Sequence, residues 1–223
     1  MRKITIILGG NSLFFICMLL VLITGSKVFG QDNAIAFGIK AGANTGKYYP
    51  KVASNNYEFK LGFYFGGFLS VPLEEGFKFQ PELLFALQGT KVTVDGLKIP
   101  FFDYMGRPIP NPNTYEFKYD INELTIAIPL MVKLYLSKNL FLESGPQIGI
   151  IVDRRLTSSY QVLDGEDDSF IAREGGSFDL GVSFGVGHNL NDKIALNLRA
   201  FTGIFKRDDI VPLVFNLGLE YKL

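Results

Sequence analysis

The chain has 223 residues, with 22 Lys and Arg against 22 Asp and Glu, one His and one Cys. The balanced charge excludes a strongly basic nucleic-acid binder, one Cys excludes an intrachain disulfide framework, and one His excludes a multi-histidine metal site. With 48% hydrophobic residues, 24 Gly and 21 Phe, the chain is expected to fold as one β-rich domain rather than to be disordered.

The first 30 residues have the layout of a secretory signal peptide. A basic start precedes an apolar stretch that is densest over residues 13–23, and Val28-Phe29-Gly30 places small residues where a signal peptidase needs them. A membrane anchor is the rival interpretation, but residues 9–12 interrupt the apolar run and leave too few residues to span about 30 Å of hydrocarbon. We therefore expect residues 1–30 to be a signal peptide and residues 31–223 to form the mature domain.

Apolar and polar residues alternate with a period of two along the rest of the chain, which predicts β-strands with one apolar face. In chain order the alternation predicts eight strands: Ala34–Asn44, Phe59–Val71, Phe77–Gly89, Leu124–Leu136, Leu140–Val152, Phe178–Val186, Ile194–Thr202 and Leu213–Leu223. The alternation changes phase between Ile121, in an odd-numbered apolar series, and Leu124, in an even-numbered one. The change predicts a β-bulge or a broken strand at Asn122–Glu123.

The connections between these strands alternate in length. Residues 72–76, 137–139 and 189–193 have the composition of tight turns, whereas 45–58, 92–120, 153–177 and 203–212 are longer and more polar. Short periplasmic turns at one end and long extracellular loops at the other are typical of a transmembrane barrel. The sequence thus predicts an all-β fold, an eight-stranded antiparallel up-and-down transmembrane β-barrel.

The volume of the apolar side chains decides which face of the barrel points outward. Each strand carries about five or six large apolar residues on one face, and the interior of an eight-stranded barrel is only just wide enough to be filled by side chains. The opposite face is rich in Gly with a few long charged residues, which a narrow lumen can hold. We therefore expect the apolar face to meet lipid, as in a membrane barrel, rather than to line a soluble barrel.

Several motifs resemble those of the PorT-like outer-membrane β-barrel family of Bacteroidota. The motifs are Phe37–Asn44, Phe79–Phe85, Ile128–Lys133, Leu142–Gly149 and Gly218–Leu223, and together they extend over essentially all of the mature chain. The family usually ends in an aromatic residue, whereas this chain ends in Leu223. The resemblance implies a porin-like barrel in the outer membrane of a Gram-negative bacterium. A few family members assist a secretion system, and these motifs do not carry that role over.

The charged residues on the inward face of the predicted strands include Lys40, Glu82, Lys133, Glu143, Arg199 and Glu220. A poorly hydrated lumen penalises unpaired charge, so opposite charges are expected to pair and seal the barrel. A gated path for ions or solutes is the alternative. Lys133 and Glu143 flank one short turn, so we expect them to pair, with Lys133–Glu82 and Glu143–Arg199 as the other options.

The segment 92–120 contributes three exposed aromatic candidates, Phe101, Phe102 and Tyr104. They are expected to form either a contact surface or part of an aromatic belt at the headgroup level. The only histidine, His188, lies beside a predicted short turn without an evident Ser partner, so we expect no catalytic site and no enzyme. No metal or cofactor is predicted.

The sequence therefore predicts a non-enzymatic outer-membrane protein with a structural, adhesion or envelope-assembly role, a secretion-accessory role being one form of the last. The alternative is a narrow pore for small ions or solutes. The predicted partners are outer-membrane lipid and lipopolysaccharide, with other envelope proteins as further candidates and no nucleic acid.

Overall fold

The structure is a computed structural model that describes residues 35–49, 55–73, 76–97, 101–109, 115–161, 167–174, 177–206 and 210–223. The predicted signal peptide, residues 1–30, lies outside the described residues. Among the described residues, no helix is long and apolar enough to cross a membrane.

Eight antiparallel strands close into a ring, which confirms the predicted fold. The described residues form eleven strands, of which β4, β5 and β8 lie outside the ring: β1 Ala36–Tyr49, β2 Asn55–Pro72, β3 Phe77–Leu97, β4 Phe101–Phe102, β5 Pro108–Ile109, β6 Tyr115–Tyr135, β7 Leu140–Gln161, β8 Asp167–Glu174, β9 Ser177–Asn189, β10 Ile194–Gly203 and β11 Val211–Lys222. The ring runs β1-β2-β3-β6-β7-β9-β10-β11, and pairing of β11 with β1 and of β6 with β7 closes it. Closure leaves no strand edge for lipid to solvate.

Three tight turns join the strands at one end of the barrel, the short-turn end. In the turn before β3, Gly76 has φ of 81°, a conformation that glycine adopts without the penalty of a side chain. In the turn before β10, the Asn191 side chain accepts backbone N–H bonds from Lys193 and Ile194 at 2.9 and 2.8 Å. The chain segments that begin β1 and end β11 also meet here, where the Leu223 N–H donates to the Phe37 carbonyl at 3.0 Å.

The outer wall of the barrel is apolar, as expected. On β2 the exposed fractions of Leu61, Phe63 and Phe65 are 78%, 55% and 56%, whereas Tyr64 and Phe68 on the opposite face are almost fully buried. Exposed apolar residues of the same kind continue on β9, β10 and β11. An apolar outer band around a polar interior is the arrangement that suits a lipid environment.

The prediction of a β-bulge or a broken strand at Asn122–Glu123 is wrong. Strand β6 continues without interruption, and its odd-numbered residues from Ile121 to Lys133 are all buried inside the barrel. The irregularity lies on the neighbouring strand, because Leu124 pairs with Asp153 while Thr125 pairs with Ile151, which leaves an extra residue on β7. The change of phase on β6 arises because Ile121 is an apolar residue that packs inside the barrel.

The strands extend well beyond the predicted ends at the opposite end, the long-loop end. Strands β3, β6 and β7 have 21, 21 and 22 residues, so much of the predicted loops 92–120 and 153–177 is strand. Strand β8 pairs with the end of β7, and β4 pairs with β5 in a separate two-stranded hairpin. These connections are therefore β-hairpins rather than irregular loops over the described residues.

Candidate functional site in the lumen

Because side chains alternate between the two faces of a strand, six charged residues on different strands come together inside the barrel. They are the six singled out from the sequence: Lys40 of β1, Glu82 of β3, Lys133 of β6, Glu143 of β7, Arg199 of β10 and Glu220 of β11. Each residue is at most 3% exposed. The group holds three cations and three anions, so its formal charges sum to zero. We refer to these six residues as the charge network.

Two ion pairs of the charge network join opposite walls of the barrel. Arg199 donates two parallel hydrogen bonds to the Glu82 carboxylate, Nη1 to Oε2 and Nη2 to Oε1, both at 2.8 Å. Lys133 Nζ lies 2.6 Å from Glu220 Oε2. In each pair the two strands stand four places apart in a ring of eight, so each pair crosses the diameter of the lumen.

Ion pairs between strands that are closer in the ring connect the two crossing pairs. Arg199 Nε donates to Glu143 Oε1 at 2.8 Å, and Lys40 Nζ lies 3.2 Å from Glu82 and 3.0 Å from Glu220. Every carboxylate therefore has a cation within reach, and each cation contacts at least two carboxylates. The result is a continuous network rather than a set of separate pairs.

The expected Lys133–Glu143 pair is present in the register but is the weakest contact of the network. The two residues are direct partners between β6 and β7, as anticipated. Their charged atoms are nevertheless 3.9 Å apart, because Lys133 reaches across to Glu220 and Glu143 turns to Arg199. The Glu143–Arg199 ion pair is one of the alternatives predicted from the sequence, whereas the Lys133–Glu220 ion pair is not.

Oxygen atoms of Glu82, Glu143 and Glu220 lie within 4.8 Å of one another, a spacing that a metal ion could occupy. Such carboxylates would attract a cation if their charge were uncompensated. Here Arg199, Lys133 and Lys40 already supply the positive charge. A metal ion would have to displace these cations, so the arrangement is a network of protein ion pairs.

Two amide side chains complete the network and were not singled out from the sequence. Gln80 Nε2 donates to Glu82 at 2.9 Å and to Glu220 at 3.1 Å, and Asn197 Nδ2 donates to Glu220 at 2.9 Å. Both residues occupy inward positions of the alternation, which is the signal that could have found them. They carry no charge, so a criterion based on charge alone does not select them.

An apolar cluster lies inside the barrel at the long-loop end. Tyr48, Val92, Ile121 and Ile210 are 1–5% exposed and pack together. Between this cluster and the charge network lies a cavity of about 20 Å³, lined by residues that include Tyr64 and Arg199. This volume is enough for about one water molecule. Within the described interior, little open space therefore separates the charge network from this apolar cluster.

The aromatic loop candidates lie in or beside the β4–β5 hairpin. Phe101 and Phe102 form β4, and Tyr104 stands at the tip with 90% of its surface exposed. The Asp103 carboxylate accepts hydrogen bonds from the backbone N–H of Arg107 at 2.9 Å, the Arg107 Nε at 2.8 Å and the backbone N–H of Met105 at 2.8 Å. The Arg107 backbone N–H, together with the other two donors, holds the pKa of Asp103 below its usual range.

His188 is exposed on the outer face of β9, whereas Ser183 is fully buried on the inner face of the same strand. The Ser183 hydroxyl donates to Gln147 Oε1 at 2.8 Å. A nucleophile and its base must be within hydrogen-bond reach of each other. These two residues, which point to opposite faces, do not meet that requirement.

Residues 29–208 of the chain match a family described as outer membrane protein beta-barrel domain. Comparison with curated proteins gives no match.

Among solved structures, the chain is similar to Ail, the attachment invasion locus protein of Yersinia pestis, at 11% identity and a TM-score of 0.46, covering 84% of this chain and 98% of that one. It is similar to the Neisserial surface protein A at 12% identity and a TM-score of 0.47, covering 84% and 97%. It is also similar to OprG from Pseudomonas aeruginosa at 12% identity and a TM-score of 0.46, covering 86% and 97%. Likeness at this level carries no argument about ligands or activity.

The geometry of the network predicts which residues are energetically coupled. Lys133→Met and Glu220→Gln should each destabilise the barrel by about 3–5 kcal/mol, because each leaves a buried partner charge uncompensated. The double variant should lose less than the sum of the two, with a coupling of about 0.5–3 kcal/mol. Urea unfolding from lipid vesicles, followed by far-ultraviolet circular dichroism, measures these free energies.

The matched control replaces Glu220→Gln with Glu143→Gln in the same cycle. Because the Lys133–Glu143 contact is 3.9 Å rather than 2.6 Å, its coupling should be the smaller of the two. A coupling to Glu143 equal to or larger than that to Glu220 would contradict the pairing described above.

Proposed function

The chain belongs to the outer membrane protein beta-barrel domain family, and from that premise we propose that it is a non-enzymatic outer-membrane barrel with a closed lumen. On this proposal the barrel acts through its surfaces, in a structural, adhesion or envelope-assembly role. Residues 1–30 serve as the signal peptide that directs export through the inner membrane. The short-turn end faces the periplasm and the long-loop end faces outward.

The observation that carries the proposal is the pair of ion pairs across the lumen. A solute moving along the axis would have to separate Arg199 from Glu82 and Lys133 from Glu220. Breaking a buried ion pair without replacing its partners is costly, about 3–5 kcal/mol for one pair. The apolar cluster around Tyr48 and Val92 would then present a second barrier at the other end.

The β4–β5 hairpin supports a role in contacts outside the cell. Its tip exposes Tyr104 and Met105, at 90% and 63% of their surface, and the Asp103 carboxylate fixes the backbone beneath them. A tip held in one conformation loses little entropy when it binds a partner. Lipopolysaccharide and other envelope proteins are the partners that this position allows.

The PorT-like motifs overlap with the charge network. The segments Phe79–Phe85 and Leu142–Gly149, which carry the resemblance, include Glu82 and Glu143 of the charge network. On this interpretation part of the resemblance reflects the residues that keep the lumen closed. A secretion-accessory function is one form of the envelope-assembly role, and the motifs by themselves do not carry it over.

Planar bilayer recordings test the closed lumen against the pore alternative. The purified protein should give no steady conductance. The double variant Arg199→Ala/Lys133→Ala, which removes both crossing pairs, should give a cation-selective leak, because Glu82, Glu143 and Glu220 then have only Lys40 to balance them. A steady, reproducible conductance from the unaltered protein would remove the closed-lumen proposal and support a narrow pore.

Cysteine labelling on intact cells tests the proposed orientation. The only cysteine in the sequence, Cys17, lies within the predicted signal peptide, so the mature protein should be unlabelled. Tyr104→Cys should react with a membrane-impermeant maleimide, because the tip lies outside the cell. Lys138→Cys, in the exposed turn between β6 and β7, should react only after the outer membrane is permeabilised. The reverse result would invert the topology.

A further inference from the structure

Two lysines stand at the short-turn end of the lumen, one layer below the charge network. Lys78 lies on β3, four residues from Glu82, and Lys222 lies on β11, two residues from Glu220. These even spacings place both side chains on the inward face of their strands. Both residues are partly buried. We call this pair of lysines, with the neighbouring Tyr135, the basic mouth.

The positive charges of the basic mouth act on one another. Lys78 is the direct partner of Lys133 in the register between β3 and β6, and the charges of Lys133 and Lys222 both repel that of Lys78. Like charges directly opposite each other on neighbouring strands destabilise a sheet. Lys133 is balanced by Glu220 at 2.6 Å.

Among the described residues, no carboxylate compensates either lysine of the basic mouth in the way that Glu220 compensates Lys133. Within the part of the chain that the structure describes, neither Lys78 nor Lys222 forms an ion pair with a carboxylate. Lys78 Nζ instead lies 4.8 Å from the centre of the Tyr135 ring. The deeper lysines, Lys40 and Lys133, both have carboxylate partners.

Polar side chains also lie beside the Lys78 ammonium group. The Tyr135 side chain is hydrogen-bonded to the Asn189 side chain, so a phenol and an amide lie close to Lys78. The Asn189 amide also donates to the Lys138 carbonyl at 3.3 Å, so the two ammonium groups and the phenol are the donors left at this opening, and they carry a net positive charge. This set has the chemistry of a site for an oxyanion.

We propose that the basic mouth binds a phosphate group between Lys78 and Lys222. A phosphate group brings negative charge and several acceptor oxygens, and lysine is a common phosphate ligand in proteins. Partly buried positive charges that repel one another are costly unless an anion compensates them. The phosphate belongs either to a phospholipid headgroup of the adjoining leaflet or to a soluble molecule beside the short-turn end. The proposal goes beyond the closed lumen and does not require it.

A titration with inorganic phosphate tests the site. The protein is held in non-ionic detergent, chloride is exchanged for phosphate at constant ionic strength, and the urea midpoint of unfolding is followed by circular dichroism. The midpoint should rise and saturate, because a ligand that binds only the folded state stabilises it. In Lys78→Gln/Lys222→Gln the apparent dissociation constant should increase by about tenfold or more.

Lys138→Gln is the matched control, since Lys138 is an exposed lysine of a turn at the same end. It should keep the phosphate response of the unaltered protein. If the double variant does not fold, the phosphorus-31 linewidth of phosphate, measured with the unaltered protein and with Lys222→Gln alone, provides the same comparison.

Mixed micelles separate the two sources of phosphate. If the ligand is a lipid headgroup, phosphatidylglycerol added to the micelles should raise the midpoint through Lys78 and Lys222, and free phosphate should then add nothing. If the ligand is soluble, free phosphate should act equally with and without the lipid. A midpoint that neither source changes would mean that the lysines are neutralised within the chain, and would overturn the proposal. An equal phosphate response in the double variant and the unaltered protein would overturn it as well.

Discussion

The interior of this barrel is governed by the need to compensate charge where there is little room for water. Eight strands enclose a space only wide enough for side chains, and the six charged side chains of the network are each at most 3% exposed. Because an uncompensated charge in such a space is costly, the three cations and three carboxylates must contact each other. Gln80 and Asn197 then take up carboxylate lone pairs that the cations leave open.

The same constraint links the fold to its proposed function. The ion pairs Arg199–Glu82 and Lys133–Glu220 tie opposite walls of the ring together, so the contacts that stabilise the barrel also obstruct its axis. On this proposal the two ends of the barrel make the functional contacts, and they differ in polarity and charge. The long-loop end carries a fixed aromatic tip above an apolar cluster, whereas the short-turn end carries the basic mouth.

Much of this architecture could be predicted from the alternation of residue types, because a period of two assigns each residue to one face of a strand. That rule places Lys40 and Arg199, and all the other members of the network, on the inner face. It does not give their partners. A contact such as Lys133–Glu220 joins strands that are distant in the ring, and it depends on how the strands are staggered and on how far a lysine side chain reaches. Neighbouring strands alone suggested Lys133–Glu143, which is the direct partner in register but not the closest charge.

The error at Ile121 has a different physical origin. The expectation that apolar residues face lipid holds for the middle of the barrel, where the outer surface meets hydrocarbon. Beyond that band the strands continue toward the long-loop end, and there apolar residues such as Ile121 and Tyr48 pack inside. The change of phase in the sequence therefore marks a change of environment, not a break in the strand.

The most direct test of charge compensation compares Arg199→Met alone with Arg199→Met/Glu82→Gln, by urea unfolding from lipid vesicles. The single variant leaves a net negative charge in the lumen, whereas the double variant restores neutrality. If compensation governs the interior, the double variant should be more stable than Arg199→Met alone, even though it lacks one more native group. A double variant that is less stable than the single one, by the full cost of Glu82→Gln, would contradict this account.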